Sequence, residues 1–438
     1  MKKTWIPLAV CVGLLSLLGT LVLDSTAVAQ TVPRRLNSHV GWLAISLAFA
    51  VALALTPYSA LVEWRLPERL RRRGFARLRL PSLLLGVAVL QLVLVLIPGL
   101  SEVRNGARRW PIWGGQPSEL AKLALIFALA DYLARNQTRL ADRHYGFVRP
   151  AAMVGVVAGL IFAEPDWGGA TVIAVVGLAL MSLAGTRTFY LVSAVSIASL
   201  LGVHLLLTNP HRLGRVLCFT DLEGHQYGAG LQQWRSILAI ASGGPWGRFI
   251  GDGRFKAGYV PAQETDFVFS VLGEELGFVG CLLVLALYAT VVVCGLRVAM
   301  RTADPFGRLL ACGVTTLIGL QALINVAVAT GSMPNKGLPL PFVSYGGSNL
   351  LALFAGVGLL IGVARHGPLE PEPDRLPKRR AAGRFWGLRG SANTVAIRHA
   401  YQLPPKPAHG MVTPRWARVG TKAPGHPCLG ALPRVSIA

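Results

Sequence analysis

Apolar stretches of about 20 residues, the length a helix needs to cross a bilayer, recur along the chain at 5–23, 40–60, 80–99, 117–134, 149–163, 168–184, 188–207, 266–297, 306–330 and 348–365. The pattern predicts ten transmembrane helices. The fifth is short and is broken off by Glu164-Pro165-Asp166. The expected fold class is an all-α polytopic membrane protein, with a large extracytoplasmic loop at 208–265 between spans seven and eight. A loop of that length is more than a connector needs. Residues 230–242 within it have the pattern of a short amphipathic helix at the interface. Two units are expected: a ten-span membrane domain, 1–365, and a tail, 366–438. The tail is basic, rich in proline and without apolar periodicity, which predicts a disordered cytoplasmic extension.

Charge orients the spans. Arg65, Arg69, Arg71, Arg72, Arg73, Arg77 and Arg79 crowd the loop 61–79, and Arg135, Arg139, Arg143 and Arg149 the loop 135–149. Lys and Arg mark cytoplasmic loops. Alternating helices then put these loops, 298–305 and the tail inside, with both termini cytoplasmic. Segments 24–39, 100–116, 208–265 and 331–347 face outward. The first run has a rival reading as a signal peptide, from Met1-Lys2-Lys3, an apolar core and Ala27-Val28-Ala29. Cleavage there would leave the remaining topology unchanged.

Composition narrows the function. In 438 residues, 53% are apolar and 14% charged, which excludes a disordered chain and argues against a soluble enzyme. The net charge of +23 sits where the positive-inside rule puts it and implies no nucleic acid. The six cysteines make no CxxC pair, so neither a disulfide framework nor a zinc site is expected.

Polar groups in or beside spans are costly and therefore functional candidates. Four clusters stand out, mostly on the outward side. Arg108-Arg109-Trp110 precedes Gln116-Pro117-Ser118-Glu119, and Glu119 and Lys122 share a helix face; the bland reading is an ion pair that only joins helices. Glu164-Pro165-Asp166-Trp167-Gly168-Gly169 places two carboxylates at an outer helix boundary, where they could bind a cation or hold a loop; the bland reading is an ordinary Pro/Gly turn with an acidic helix start. In the long loop lie Arg212, Arg215, Gln232 and Arg235. The loop ends in Thr265-Asp266-Phe267, and Asp266, Ser270 and Glu274 follow at four-residue steps. An acid at the mouth of an apolar span is placed for a raised pKa and for work as a general base; the bland reading is a helix cap. The fourth cluster, 334–348, holds Lys336 and Ser344 among glycines and prolines, where a cation and backbone N–H groups suit a phosphate. Gln321 and Asn325, four apart, are expected to bond between helices. The residues alone suit an anionic lipid-linked or amphipathic substrate and leave enzyme and transporter both open.

The stretches NGARRW (105–110), QPSELAKLAL (116–125), EPDWGGA (164–170), HRLGRV (211–216), GAGLQQWRSILAIASGG (228–244), ETDFVFSVLGEELGFVG (264–280) and GSMPNKGLPLPFVSYGGSNLL (331–351) resemble the SEDS family of FtsW and RodA. The likeness runs over about residues 5–365. It implies a peptidoglycan glycosyltransferase that polymerises lipid II at the outer face of the cytoplasmic membrane. Asp266 then matches the family's essential aspartate, the base for the acceptor sugar's 4-hydroxyl in an inverting transfer. The leaving group is undecaprenyl diphosphate, which cations or a divalent metal (Mg or Mn) would stabilise. Arg109, Lys122, Arg212, Arg215 and Lys336 are the candidate cations, and Glu119 orients Lys122. Gln232 and Ser344 complete the candidate substrate-binding set, and no organic cofactor is implied. Asn335-Lys336-Gly337 is closer to the division branch, FtsW. The implied partners are a class B penicillin-binding protein transpeptidase and other divisome proteins. The stretch 111–115 is shorter than the family's usual hairpin, which bears on the placement of Arg109. A lipid II flippase, which would favour inverted repeats and polar groups running through the membrane, and a non-catalytic scaffold are the rival functions.

Overall fold

A computed structural model of the protein describes residues 4–30, 33–64, 79–104, 107–112, 114–228, 230–249, 251–253 and 264–367. Most of the arginine-rich 61–79 loop, and the tail from 368 on, lie outside the described residues.

The chain is a helical bundle. Its helices are α1 (Trp5–Gln30), α2 (Pro33–Leu55), α3 (Tyr58–Glu63), α4 (Leu80–Leu96), α5 (Pro117–Arg135), α6 (Arg149–Ala163), α7 (Trp167–Ala184), α8 (Thr188–Leu207), α9 (Pro210–Thr220), α10 (Leu231–Gly243), α11 (Val268–Arg301), α12 (Pro305–Ala329) and α13 (Gly347–His366). Between α4 and α5 stands an antiparallel hairpin of β1 (Ser101–Arg104) and β2 (Ala107–Pro111), with a bulge between Glu102 and Val103. Local chemistry sets several boundaries. Proline opens α5, α6, α9 and α12, where its missing N–H costs nothing. Asp166 caps α7 by accepting from Gly169 N at 2.9 Å, and Asp304 caps α12 from Gly307 N at 2.8 Å.

Every expected span falls on a helix, and the helices confirm eight of the ten as spans by length and composition. Eight among the described residues are long and apolar enough to cross a membrane. The two exceptions are α4, with only 17 residues, and α5, which carries Glu119, Lys122, Asp131 and Arg135. The first three of those charges are buried, so α5 keeps them against protein rather than lipid.

Helices α12 and α13 are the centre, with 72% of each span buried, whereas no residue of the α8 span is buried. The core runs from Leu8 and Leu15 of α1 through Leu125 and Leu129 of α5 to Leu310, Ile318 and Leu360. Helix α13 lies along α2, and α11 packs on α1, α10 and α12. Inside the 34-residue α11 the backbone breaks at Gly277 (φ 68°, ψ −168°). Residues 243–248, at the end of α10, satisfy the break. Phe278 N donates to Gly244 O at 2.9 Å, Val279 N to Pro245 O at 3.2 Å, and Arg248 N to Glu274 O at 3.1 Å. A Cβ at Gly277 would collide with Gly247 N, and one at Gly247 with the Glu275 carbonyl. Glycine is required at both positions.

Candidate functional site

The hairpin, the α6–α7 turn, the entry to α11 and the loop before α13 meet at one end of the bundle. Asp266 lies two residues before α11. Phe267 occupies the N-cap position without a side-chain cap bond, so the carboxyl of Asp266 is not spent on capping, and Asp266 precedes rather than shares the Ser270–Glu274 helix face. Asn325 fixes its backbone: Nδ2 donates to Asp266 O at 2.8 Å and to Leu338 O at 2.7 Å. That amide ties two loops to α12 rather than bonding another helix as expected. Burial pushes the Asp266 carboxyl up to about 6; Arg109 and a hydrogen bond from the Thr265 side chain oppose the rise, and Asp166 adds to it.

The loop 331–346 crosses this carboxyl. Gly337 has φ +60°, and a Cβ there would lie 3.2 Å from Asp266 Oδ2. Asn335 shapes the turn by accepting from Gly337 N at 3.1 Å and donating to Gln232 Oε1 at 2.8 Å. Gln232 is thus committed to the loop. Its neighbours secure α10: Gln233 Nε2 donates to Val328 O and Met333 O at 2.9 and 2.6 Å, and Ser236 Oγ to Ala329 O at 2.7 Å. Ser344 accepts from Leu340 N at 2.8 Å and donates to Thr265 O at 2.5 Å, so its hydroxyl knits this loop to the Asp266 segment. Tyr288 O–H donates to Pro341 O at 2.5 Å. Such saturation is what non-helical backbone at membrane depth demands. Lys336 is partly buried, and burial lowers its pKa.

Arg109 on β2 reaches across the α6–α7 turn. Nε donates to Glu164 O at 3.0 Å and Nη2 to Pro165 O at 2.5 Å. The short 111–115 stretch therefore still delivers Arg109 to the site, with Asp266 and Glu164 both within its electrostatic reach. Glu164 is fully buried, and its carboxyl oxygens have no hydrogen-bond partner. Burial first, then Asp166, push its carboxyl up to about 8 against the pull of Arg109. Sequence reasoning weighed a carboxylate pair that binds a cation or holds a loop against a plain turn; the signal it lacked was the burial of Glu164.

Glu119 and Lys122 form a buried ion pair at 2.8 Å on α5. The start of that helix is tied to α13 by Gln116 N donating to Ser348 Oγ at 3.0 Å. Arg212 and Arg215 lie one turn apart on α9; their side chains are outside the described residues. Among the described residues no group of three or more His, Cys, Asp or Glu could hold a metal ion. A divalent cation would find no such protein cage among these residues.

The profile of the FtsW/RodA/SpoVE family, described as cell cycle protein, matches residues 6–368. The chain belongs to this family. It is 37% identical over 348 residues to the probable peptidoglycan glycosyltransferase FtsW of Trichlorobacter lovleyi, covering 78% of this chain and 89% of the relative. It is 37% identical over 290 residues to stage V sporulation protein E of Bacillus subtilis, covering 65% and 79%. Among solved structures it is similar to one reported as structural coordination of polymerization and crosslinking by a peptidoglycan synthase complex, with TM-score 0.65, 31% identity and coverage of 82% and 96%. The rod shape determining protein RodA of Thermus thermophilus matches with TM-score 0.58, 30% identity and coverage of 82% and 95%.

Proposed function

We propose that this protein is a peptidoglycan glycosyltransferase that polymerises lipid II at the outer face of the cytoplasmic membrane during cell division. The family supports the reaction class, and the poised Asp266 supports the mechanism. The carboxyl with a pKa of about 6 is ionised at neutral pH and still basic enough to accept a proton as the acceptor's 4-hydroxyl attacks. The attack forms the β-linkage and breaks the α-anomeric bond to undecaprenyl diphosphate. Arg109 and Lys336 are the cations best placed to meet the departing diphosphate. Arg212 and Arg215 are further candidates. Lys122 is paired with Glu119 and secures α5 behind the site rather than meeting the anion. The loop 331–346 supplies a stiff rim rather than a lid, because its polar groups are already bonded.

The partner is a class B penicillin-binding protein, as the similarity to a peptidoglycan synthase complex supports; other divisome proteins join them. The decisive experiment is polymerisation by the purified pair with labelled lipid II, products resolved on a gel, wild type beside Asp266→Asn. A glycan ladder that vanishes in the variant supports both reaction and base. A ladder that survives removes Asp266 from the mechanism. No ladder from a folded, partnered wild type leaves a flippase or scaffold, to be separated by a liposome flipping assay.

A further inference from the structure

Glu164 ends α6 as its C-cap residue, and none of its surface is exposed. The groups that would normally stabilise a buried carboxylate are engaged elsewhere. Arg109 directs Nε and Nη2 at the backbone carbonyls of Glu164 and Pro165. Gly169 N donates to Asp166. A carboxylate without donors or solvent is far less stable than its neutral acid. We infer that Glu164 works as a neutral carboxylic acid, a positioning residue that leaves the charge of Arg109 undivided for Asp266 and the departing anion, and that its ionisation disarms the site.

The charged groups around it come from every side of the turn. Arg109 stands on β2, Asp166 on the turn itself and Asp266 at the entry to α11. Lys336 lies on the loop whose backbone packs against Gly168, and the Glu119–Lys122 pair sits on α5, which packs against α6. An ionised Glu164 would draw the guanidinium off the two carbonyls and add a third negative charge beside Asp166 and Asp266. The acid loses its proton at about pH 8, so the loss falls on the alkaline side.

The inference rests on the glycosyltransferase reading for what the site does; the protonation state of Glu164 stands apart from it. Two measurements therefore run together on wild type and Glu164→Gln. The first is lipid II polymerisation by the complex with its transpeptidase, from pH 6 to beyond pH 9. Wild-type activity should fall with a midpoint near pH 8. The glutamine variant should match wild type within about twofold at pH 7 and keep that rate at least one pH unit higher, because its side chain cannot ionise. The second is thermal unfolding of the purified protein. The folded acid holds its proton to about pH 8, whereas an unfolded glutamate releases it at about 4.3. Wild-type stability should therefore decline through that window and then level, and the Tm advantage of the variant should widen over the same range.

An unchanged alkaline limb together with a constant Tm gap overturns the inference. So does a tenfold loss at pH 7, which would mean the carboxyl itself is required. If neither protein makes a ladder, the glycosyltransferase reading fails while the melting comparison still decides Glu164. Should Glu164→Gln not fold, Glu164→Leu takes its place. Melting no lower than wild type at pH 8 supports the neutral acid, and a lower Tm reveals a paired carboxylate and refutes it.

Discussion

Two acids at the same end of the bundle meet opposite fates. Glu119 is buried with a lysine 2.8 Å away, whereas Asp266 is partly buried and has neighbouring charges but no direct ion-pair contact among the described residues. A buried ion pair is static, since separating it leaves an uncompensated charge. An acid held by its backbone, with its carboxyl outside any ion pair among the described residues, can change protonation state without the fold changing. The difference teaches where this protein keeps rigidity and where it keeps chemistry. Rigidity lies in side chains bonded to backbone, such as Asn325, Gln233 and Ser344. Chemistry lies in the few carboxyls left outside that network.

Substitutions can break this contrast. Asp266→Asn should have the largest effect, abolishing ladder formation by about 10²–10⁴-fold, the usual worth of a general base, with Tm at neutral pH no lower than wild type, because the buried carboxyl costs stability once ionised. Lys122→Ala should do the reverse. It strands Glu119 and costs about 3–5 kcal/mol, read as a lower Tm, and activity is lost only as the fold is. A double change of Glu119→Gln with Lys122→Met should recover much of that Tm; if it does not, the pair has a role beyond its own neutrality. Asn325→Leu leaves two buried carbonyls without a donor, at about 1–3 kcal/mol each, and should lower kcat as well as Tm because one of them belongs to Asp266. Gly337→Ala asks a residue with a Cβ to hold φ +60°, at about 1–2 kcal/mol, and crowds Oδ2 of Asp266. Its kcat should fall more than its Tm. The mildest probe is acid itself. Protonating Asp266 removes the base, so kcat should decline as pH drops through about 6, by about tenfold per unit below it. A flat profile between pH 5 and 7 would assign the base elsewhere.

Much of this architecture was legible in the sequence because hydropathy is a long-window signal. Ten apolar runs predicted ten helices, and each has one, although α4 and α5 lack the length or purity to count as spans on composition. The amphipathic stretch 230–242 emerged as α10 (Leu231–Gly243), and Glu119 and Lys122 paired as their three-residue spacing suggested. What stayed hidden depends on contacts distant in sequence. Nothing local reveals that Asn325 reaches the carbonyls of Asp266 and Leu338, or that Ser344 bonds to Thr265, 79 residues away. Glu164 read as part of an acidic turn because burial is a property of the assembled bundle. The break at Gly277 was invisible for the same reason: the amides it frees find partners only in 244–245.

The glycines at 277 and 247 carry a consequence for how this protein can change over time. Each has positive φ; a methyl group at 277 would meet the backbone of Gly247, and one at 247 the backbone of Glu275 and Leu276. Neither position offers a neutral first step, and altering both at once leaves both collisions in place. A lineage exploring new outer loops can lengthen, shorten or recharge the chain elsewhere, yet it must cross this joint unaltered, so variation is channelled away from the break inside the helix that Asp266 precedes.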